Sequence, residues 1–96
     1  MIERIVLFKL VEPETRQAAA EQARAQLAAL PGLKSMTVGV PSDPASLRSW
    51  DLSVILRFAD QPATDAALAS PTFEGFMEET MEDRYEVVKA WSFESP

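Results

Sequence analysis

The chain lacks the two side chains that most often carry acid–base and nucleophilic chemistry near neutral pH. Its 96 residues include no histidine and no cysteine. Histidine is the only side chain whose unperturbed pKa lies between pH 5 and 8, and cysteine is the most reactive nucleophile at neutral pH. The groups left for chemistry are carboxylates, six arginines, three lysines and one tyrosine, Tyr85. We therefore assign no catalytic residue from the sequence.

Arg4 is the strongest candidate for a binding residue. Strand alternation places it on the same side as Ile2 and Val6, where a full charge is costly unless it is paired. The last strand is expected to run beside the first, so that Trp91 or Phe93 offers a ring face to the guanidinium. Arg4 could then anchor a carboxylate or enolate in an aromatic pocket. Alternatively, it stacks on a ring at a strand end and pairs with a surface glutamate.

The remaining candidate ligand-binding residues are large and apolar. On the predicted second helix, Phe73, Phe76 and Met77 follow the three- and four-residue spacing of an amphipathic stripe. Such a stripe either lines a ligand cavity or forms ordinary core, and both interpretations stay open. The full candidate set consists of Arg4, Trp50, Leu52, Phe73, Phe76, Met77 and Trp91.

The acidic run on the same helix is interpreted as solvated surface. Oxygen ligands would suit Mg²⁺ or Ca²⁺, but Glu74, Glu78 and Glu82 recur every four residues on the side opposite the phenylalanines. No glycine-rich phosphate loop and no serine nucleophile elbow occurs. We therefore expect neither a metal nor a cofactor.

The elements that must position these residues follow the order βαββαβ. Apolar alternation predicts the strands, and alanine-rich or amphipathic stretches predict the helices. With short connections and right-handed crossovers, this order gives an α+β, ferredoxin-like plait with a four-stranded antiparallel sheet and both helices on one face. We expect a single domain over residues 1–96. The predicted elements are strands at 2–11, 33–40, 49–58 and 85–93, a helix at 14–30, and a helical region that opens at 60–62 and restarts at 70–71.

Composition narrows the partners and the location. The formal net charge of −6 disfavours nucleic acid, whose binding requires cations that neutralise phosphates. No apolar run approaches the roughly 18–20 residues that span a bilayer, so we expect no membrane partner. The chain opens directly into a predicted strand, without the pattern of a signal peptide, and it has no cysteine for disulfides. We expect a cytoplasmic protein.

Both faces of the predicted sheet are apolar, which points to a dimer. One face, including Val87 and Trp91 from the last strand, is predicted to lie under the helices. The opposite face should be polar in a monomer, yet its centre is apolar and its rim is charged, as in an interface. We predict a homodimer in which two sheets pack face to face; the alternative is a monomer with an apolar sheet surface. The candidate interface residues are Ile5, Leu7, Ile55, Val88 and Ala90.

Four short motifs are spread along the chain, and the first is the opening Arg4-Ile5-Val6-Leu7-Phe8-Lys9. The other three motifs are Pro31-Gly32-Leu33 before a strand that ends in Val38-Gly39, Trp50-Asp51-Leu52 through Arg57-Phe58, and Ala69-Ser70-Pro71 through Phe76. Together they resemble the stress-responsive dimeric α/β-barrel (Dabb) family, whose first strand typically reads histidine-hydrophobic-Val-Leu-Phe-Lys. The resemblance covers nearly the whole chain and implies a ferredoxin-like protomer that dimerises into a barrel.

The departures from the family pattern bear on function. Polyketide cyclases of the family close a ring by an aldol reaction, with a histidine and a tyrosine on the second helix supported by strand histidines. At the positions that the resemblance aligns with them, this chain has Phe73, Ala67, Arg4 and Leu52. None of these side chains can perform the histidine chemistry.

These observations favour a dimeric barrel protein that binds a small apolar or carboxylated metabolite between sheet and helices, without the histidine-based cyclase apparatus. A second hypothesis is a small cofactor-independent enzyme, such as a cyclase, isomerase or oxygenase, that uses Arg4 and the shape of its pocket. A third is a structural protein whose interior is completely filled by side chains. Fold analogy alone does not choose among them.

Overall fold

A computed structural model describes all 96 residues and confirms the ferredoxin-like architecture. Its four strands form one antiparallel sheet in the order β2-β3-β1-β4. The α-helices are α1 (Arg16–Leu27), α2 (Pro44–Ser49), α3 (Gln61–Leu68) and α4 (Pro71–Gly75), and the strands are β1 (Ile2–Leu10), β2 (Ser35–Gly39), β3 (Leu52–Phe58) and β4 (Tyr85–Glu94). Short 3₁₀ turns precede α1 and β4, at Pro13–Thr15 and Glu82–Arg84, and α4 continues as a π-helical turn over Phe76–Thr80.

The core lies between one sheet face and the long helices. From α1 the buried residues include Ala20, Ala23 and Leu27, with Leu30 just beyond the helix, as the sequence spacing predicts. Helix α1 itself ends at Leu27, three residues before the predicted end. A tight turn at Pro31 and Gly32 then directs the chain into β2, and Gly32 has a φ of 74°, which glycine adopts without steric cost.

Two local predictions about the helical segments have different outcomes. The restart at Ser70 and Pro71 is confirmed, because the Ser70 hydroxyl accepts a hydrogen bond from the Phe73 N–H and caps α4. Residues 41–48, which lie between two predicted strands and outside every predicted element, contain most of the six-residue helix α2. No helix is both long and apolar enough to cross a membrane.

The predicted faces of β4 are wrong. Val88 and Ala90 pair with Phe8 and Val6, so they lie on the helix side of the sheet. Trp91 pairs with Ile5 on the opposite side. The cause is an irregularity in the ladder, where Leu10 pairs with Tyr85 but the preceding residue of β1, Lys9, pairs with Val87. One extra residue in a strand moves every later side chain to the other face.

Candidate functional site

The helix side of the sheet is filled by side chains. Phe76 and Leu52 are each 1 % exposed, and Phe73 and Met77 pack against the same core. The Phe8 ring meets Phe76 edge-on at a centroid distance of 6.3 Å. Neither of the two cavities in the structure lies between the sheet and the long helices. The expected position of a ligand in that layer is therefore not supported, and Phe73, Phe76 and Met77 are core residues.

Arg4 lies apart from the other candidate residues. Its half-buried side chain donates a hydrogen bond from Nη1 to the Ser92 hydroxyl at 3.2 Å. Its Nε is buried and has no hydrogen-bond partner. The expected contact with Trp91 or Phe93 is absent, because the register of β4 places both rings on the opposite face of the sheet. Neither cavity includes Arg4.

The sheet side turned away from the helices, called the outer face below, has an apolar centre. Register places Thr37, Ile55, Ile5 and Trp91 side by side across all four strands. Leu7 lies in the neighbouring row, and Phe93 lies on the other side of Trp91 along β4. The predicted placement of Ile5, Leu7 and Ile55 on this face agrees with the register, whereas β4 contributes Val87, Trp91 and Phe93 to it instead of Val88 and Ala90.

The aromatic side chains of the outer face are unusually exposed. Trp91 is 47 % exposed and Phe93 is 55 % exposed, although both belong to a regular strand. Beside Phe93 in the register, the Glu3 carboxylate forms an ion pair with Arg57 Nε at 2.8 Å. The Arg57 guanidinium also donates to the Thr37 hydroxyl at 3.1 Å. One end of the outer face is thus polar and internally paired, next to a large apolar centre.

A cavity of about 250 Å³ lies at the other end of the outer face. Leu7, Gly39 and Ser53, which occupy one row of the sheet, form its floor. The segment between β2 and β3 forms its wall and contributes the apolar residues Val40, Pro41 and Trp50. The complete lining is Leu7, Gly39, Val40, Pro41, Ser42, Ser46, Trp50, Leu52 and Ser53. Of the predicted ligand residues, only Trp50 and Leu52 take part.

Helix α2 holds the cavity wall in place through an N-cap. The Asp43 carboxylate accepts a hydrogen bond from the Ser46 N–H at 2.7 Å. This bond and a further one from the Ser46 side chain hold the pKa of Asp43 below its usual value. At the end of α2, the Trp50 N–H donates to the Ser46 carbonyl at 2.9 Å. The cap therefore fixes the turn on which Ser46 and Trp50 reach the cavity.

A buried aspartate fixes the start of β3 beside the cavity. Asp51 is 1 % exposed, and its carboxylate accepts from the Leu10 N–H at 2.9 Å and from Arg16 Nη2 at 2.8 Å. Burial raises the pKa of Asp51, but the hydrogen bonds from Arg16 and Leu10 and the charges of Arg16 and Lys9 outweigh it and lower the pKa overall. Asp51 was not predicted as a functional residue. Its signals in the sequence are its place in the motif Trp50-Asp51-Leu52 and its acidic side chain at the start of an otherwise apolar strand.

The structure contains no cluster of acidic side chains arranged to hold a metal ion. Glu74, Glu78 and Glu82 are exposed, in agreement with a solvated helix face. The cavity lining carries hydroxyl groups but no carboxylate and no imidazole. Such a lining can bind and orient a small molecule, but it offers no side chain that exchanges a proton near neutral pH.

Comparison with solved structures supports the fold. A Dabb family protein with a ferredoxin-like fold from Mesorhizobium loti superposes with a TM-score of 0.82 at 18% identity, covering 99% of this chain and 96% of that chain. A dimeric ferredoxin-like protein of unknown function from Bacteroides fragilis gives a TM-score of 0.79 at 19% identity, over 98% and 95%. A dimeric ferredoxin-like protein from Thermobifida fusca gives 0.79 at 20% identity, over 96% and 88%.

The sequence itself carries the family assignment. No curated protein sequence matches the chain. The family model for the stress responsive A/B barrel domain, Dabb, matches residues 2–94, which is nearly the full length and includes all four motifs noted above. The chain therefore belongs to the Dabb, or stress responsive A/B barrel domain, family.

Proposed function

We propose that the protein is a homodimer that closes an α/β barrel through its outer faces and binds a small apolar or carboxylated molecule. The observation that carries the proposal is the exposed apolar centre of the outer face, with Trp91 and Phe93 about half exposed. An apolar patch of this kind on a small domain marks an interaction surface. An isologous contact between two such faces buries the aromatic side chains of both copies at once.

Two further observations support this assembly. The solved structures from Bacteroides fragilis and Thermobifida fusca are both described as dimeric. In addition, the Glu3–Arg57 pair lies beside the apolar centre and not within it. Cores of protein interfaces are depleted of charged residues and enriched in tryptophan and phenylalanine.

The ligand role rests on the cavity at the end of the outer face. Its volume of about 250 Å³ is slightly below the roughly 300–1,000 Å³ that is usual for small-molecule sites. The net charge of −6 favours a small ligand over nucleic acid. The positions that carry the cyclase histidines and tyrosine in the family hold Arg4, Leu52, Ala67 and Phe73 here, so we propose binding without that apparatus. Native mass spectrometry of freshly purified protein tests this role, because a dimer with a reproducible added mass identifies a retained ligand.

Sedimentation velocity tests the dimer. We expect the wild-type protein to sediment as a dimer and Trp91→Glu to shift it towards monomer, because a carboxylate at the centre of the interface loses its hydration. Loss of a central interface tryptophan alone weakens binding by about 2–4 kcal/mol. Val11→Glu is the matched control, since Val11 is 51 % exposed but lies beyond the end of β1. A wild-type monomer at 100 μM would contradict the proposal.

The enzyme hypothesis retains one supporting observation, the unpartnered buried Nε of Arg4. A guanidinium with an unused donor could orient an anionic group of a substrate. If the dimer shows an activity in a screen of small carboxylic and enolisable compounds, Arg4→Gln should lower kcat/KM by at least tenfold. Activity that survives this substitution would remove Arg4 from the reaction.

A further inference from the structure

Two lysines lie beside the cavity, although the chain as a whole carries −6. They are Lys9 and Lys89, both on the outer face. Lys89 pairs with the cavity residue Leu7 across β1 and β4, so the two side chains stand next to each other on the outer face. Lys9 follows Leu7 by two residues on the same face, and its ammonium donates to the Arg48 carbonyl of α2 at 3.4 Å.

Neither aspartate near the cavity forms an ion pair with these lysines, although the charge of Lys9 helps to lower the pKa of Asp51. The Asp43 carboxylate is used as the N-cap of α2 and accepts from the Ser46 N–H. The Asp51 carboxylate is buried and is shared between the Leu10 N–H and the Arg16 guanidinium. At the opposite end of the outer face, by contrast, Arg57 has its own partner in Glu3. Lys9 and Lys89, beside the cavity, form no ion pair of this kind.

The cavity itself suits an apolar body. Trp50, Val40 and Leu7 provide aromatic and aliphatic surface, and the hydroxyl of Ser53 lies on the floor. The volume of about 250 Å³ is below the roughly 300–1,000 Å³ of sites for drug-sized ligands, so it fits one or two rings or a short chain. A ligand that satisfies both the cavity and its surroundings has an apolar body and one anionic end.

We propose that the cavity binds a small aryl or short-chain carboxylate, with its apolar body against Trp50 and Leu7 and its carboxylate directed towards Lys9 and Lys89. This proposal rests on the ligand role proposed above and chooses between its apolar and carboxylated alternatives. The exposed Lys89 and the half-buried Lys9 set the preference for an anion, and the cavity sets the size of the ligand. The site lies on the outer face, opposite the layer of helices where the sequence placed the ligand.

A matched pair of probes tests the charge preference directly. The probes are 1-naphthoate and 1-naphthalenemethanol, which share the ring system and differ in charge. Binding is followed by the indole N–H resonance of Trp50, one of two indole signals in the chain, assigned with Trp50→Phe. We expect 1-naphthoate to bind at least tenfold more tightly than the alcohol. Lys89→Gln and Lys9→Gln should each weaken the carboxylate about three- to fivefold and leave the alcohol unchanged, as fits partly exposed ion pairs.

The control variant and the outcomes separate this proposal from the dimer. Lys34→Gln removes an exposed lysine just before β2, near the opposite end of the sheet, and should not change either affinity. Equal affinity for the two probes, or no effect of both cavity lysines, overturns the charge preference while the ligand role stands. A Trp50 signal that responds to neither probe overturns the ligand role itself. Sedimentation of each variant reports the dimer independently.

Discussion

The two faces of the sheet are built from alternate residues of the same strands but differ in almost every physical respect. On the helix side, Val6, Phe8 and Leu56 are each at most 3 % exposed. On the outer face, Ile5 and Leu7 are half-buried and Trp91 is 47 % exposed. The helix side leaves no room for a ligand and determines the fold. The outer face keeps apolar surface, a cavity and unpaired cations, and can therefore carry the function without changing the core.

The largest loss of stability is expected from a substitution that creates a cavity on the helix side of the sheet. Phe76→Ala should lower the free energy of unfolding by about 3–5 kcal/mol, because the ring is fully buried and packs edge-on against Phe8. Urea denaturation at two protein concentrations measures it. The loss should be the same at both concentrations, since Phe76 acts within one protomer.

The matched control on the outer face is Phe93→Ala, which removes the same type of ring at a position where it is 55 % exposed. The loss of stability in Phe93→Ala should depend on protein concentration, because the concentration sets the fraction of dimer. Equal, concentration-independent losses in the two variants would contradict the different roles assigned to the faces.

Asp51→Asn should have the second largest effect. We expect a loss of about 2 kcal/mol, because the substitution leaves the Arg16 guanidinium without its charged partner in a mostly buried position. The pKa of Asp51 is below its ordinary value in the folded state, so its contribution is complete above about pH 5 and is lost as the pH falls through the folded pKa.

Melting temperatures of wild type and Asp51→Asn between pH 2 and 7 check this prediction. The two curves should be separated at neutral pH and should converge in acid. Asp83→Asn, on the exposed surface, should follow the wild type throughout. A gap between wild type and Asp51→Asn that stays constant down to pH 2 would contradict the assigned ion pair.

The ion pair of the outer face, between Glu3 and Arg57, should contribute less to stability. Glu3→Gln removes the partner of Arg57, but the two side chains are 40% and 27% exposed. Partly exposed ion pairs contribute up to about 1 kcal/mol, and salt screens them. The loss measured by urea denaturation should therefore shrink further in 0.5 M NaCl, whereas the loss in Asp51→Asn should not. A loss in Glu3→Gln that equals the one in Asp51→Asn would remove this difference between the faces.

Local sequence patterns predicted the strands, their order and most of the core, because burial on one side imposes a strict alternation on β1 and β3. The faces of β4 were not predictable in the same way. Apolar residues occupy both parities there, with Val88 and Ala90 on one and Val87 and Trp91 on the other. An extra residue in β4, opposite Lys9 and Leu10 of β1, determines which of the two sets faces the helices. Only the pairing of β4 with β1 reveals this extra residue.

The cavity escaped prediction for a related reason. Its lining comes from three strands and a connecting segment, and no spacing along the chain brings Leu7, Gly39 and Trp50 together. Three of the seven residues proposed for a ligand, Phe73, Phe76 and Met77, were chosen for their helical periodicity, and none of them lines the cavity. Periodicity identifies the side of a helix that is buried, but it does not distinguish core from a site.

The smallest effect is expected from a substitution in the cavity wall of the outer face. Asp43→Ala removes the cap of α2 but no core contact, so the melting temperature at neutral pH should change little. The Ser46 amide should lose protection from hydrogen exchange, since its acceptor is gone. Because the folded-state pKa of Asp43 is lowered, wild-type protection should also fall as the pH drops through that pKa, after correction for the intrinsic exchange rate. If the Ser46 amide stays protected both in Asp43→Ala and at low pH, packing of Trp50 holds the wall of the cavity instead of the cap. Asp43→Asn, which keeps an acceptor, would then behave like Asp43→Ala.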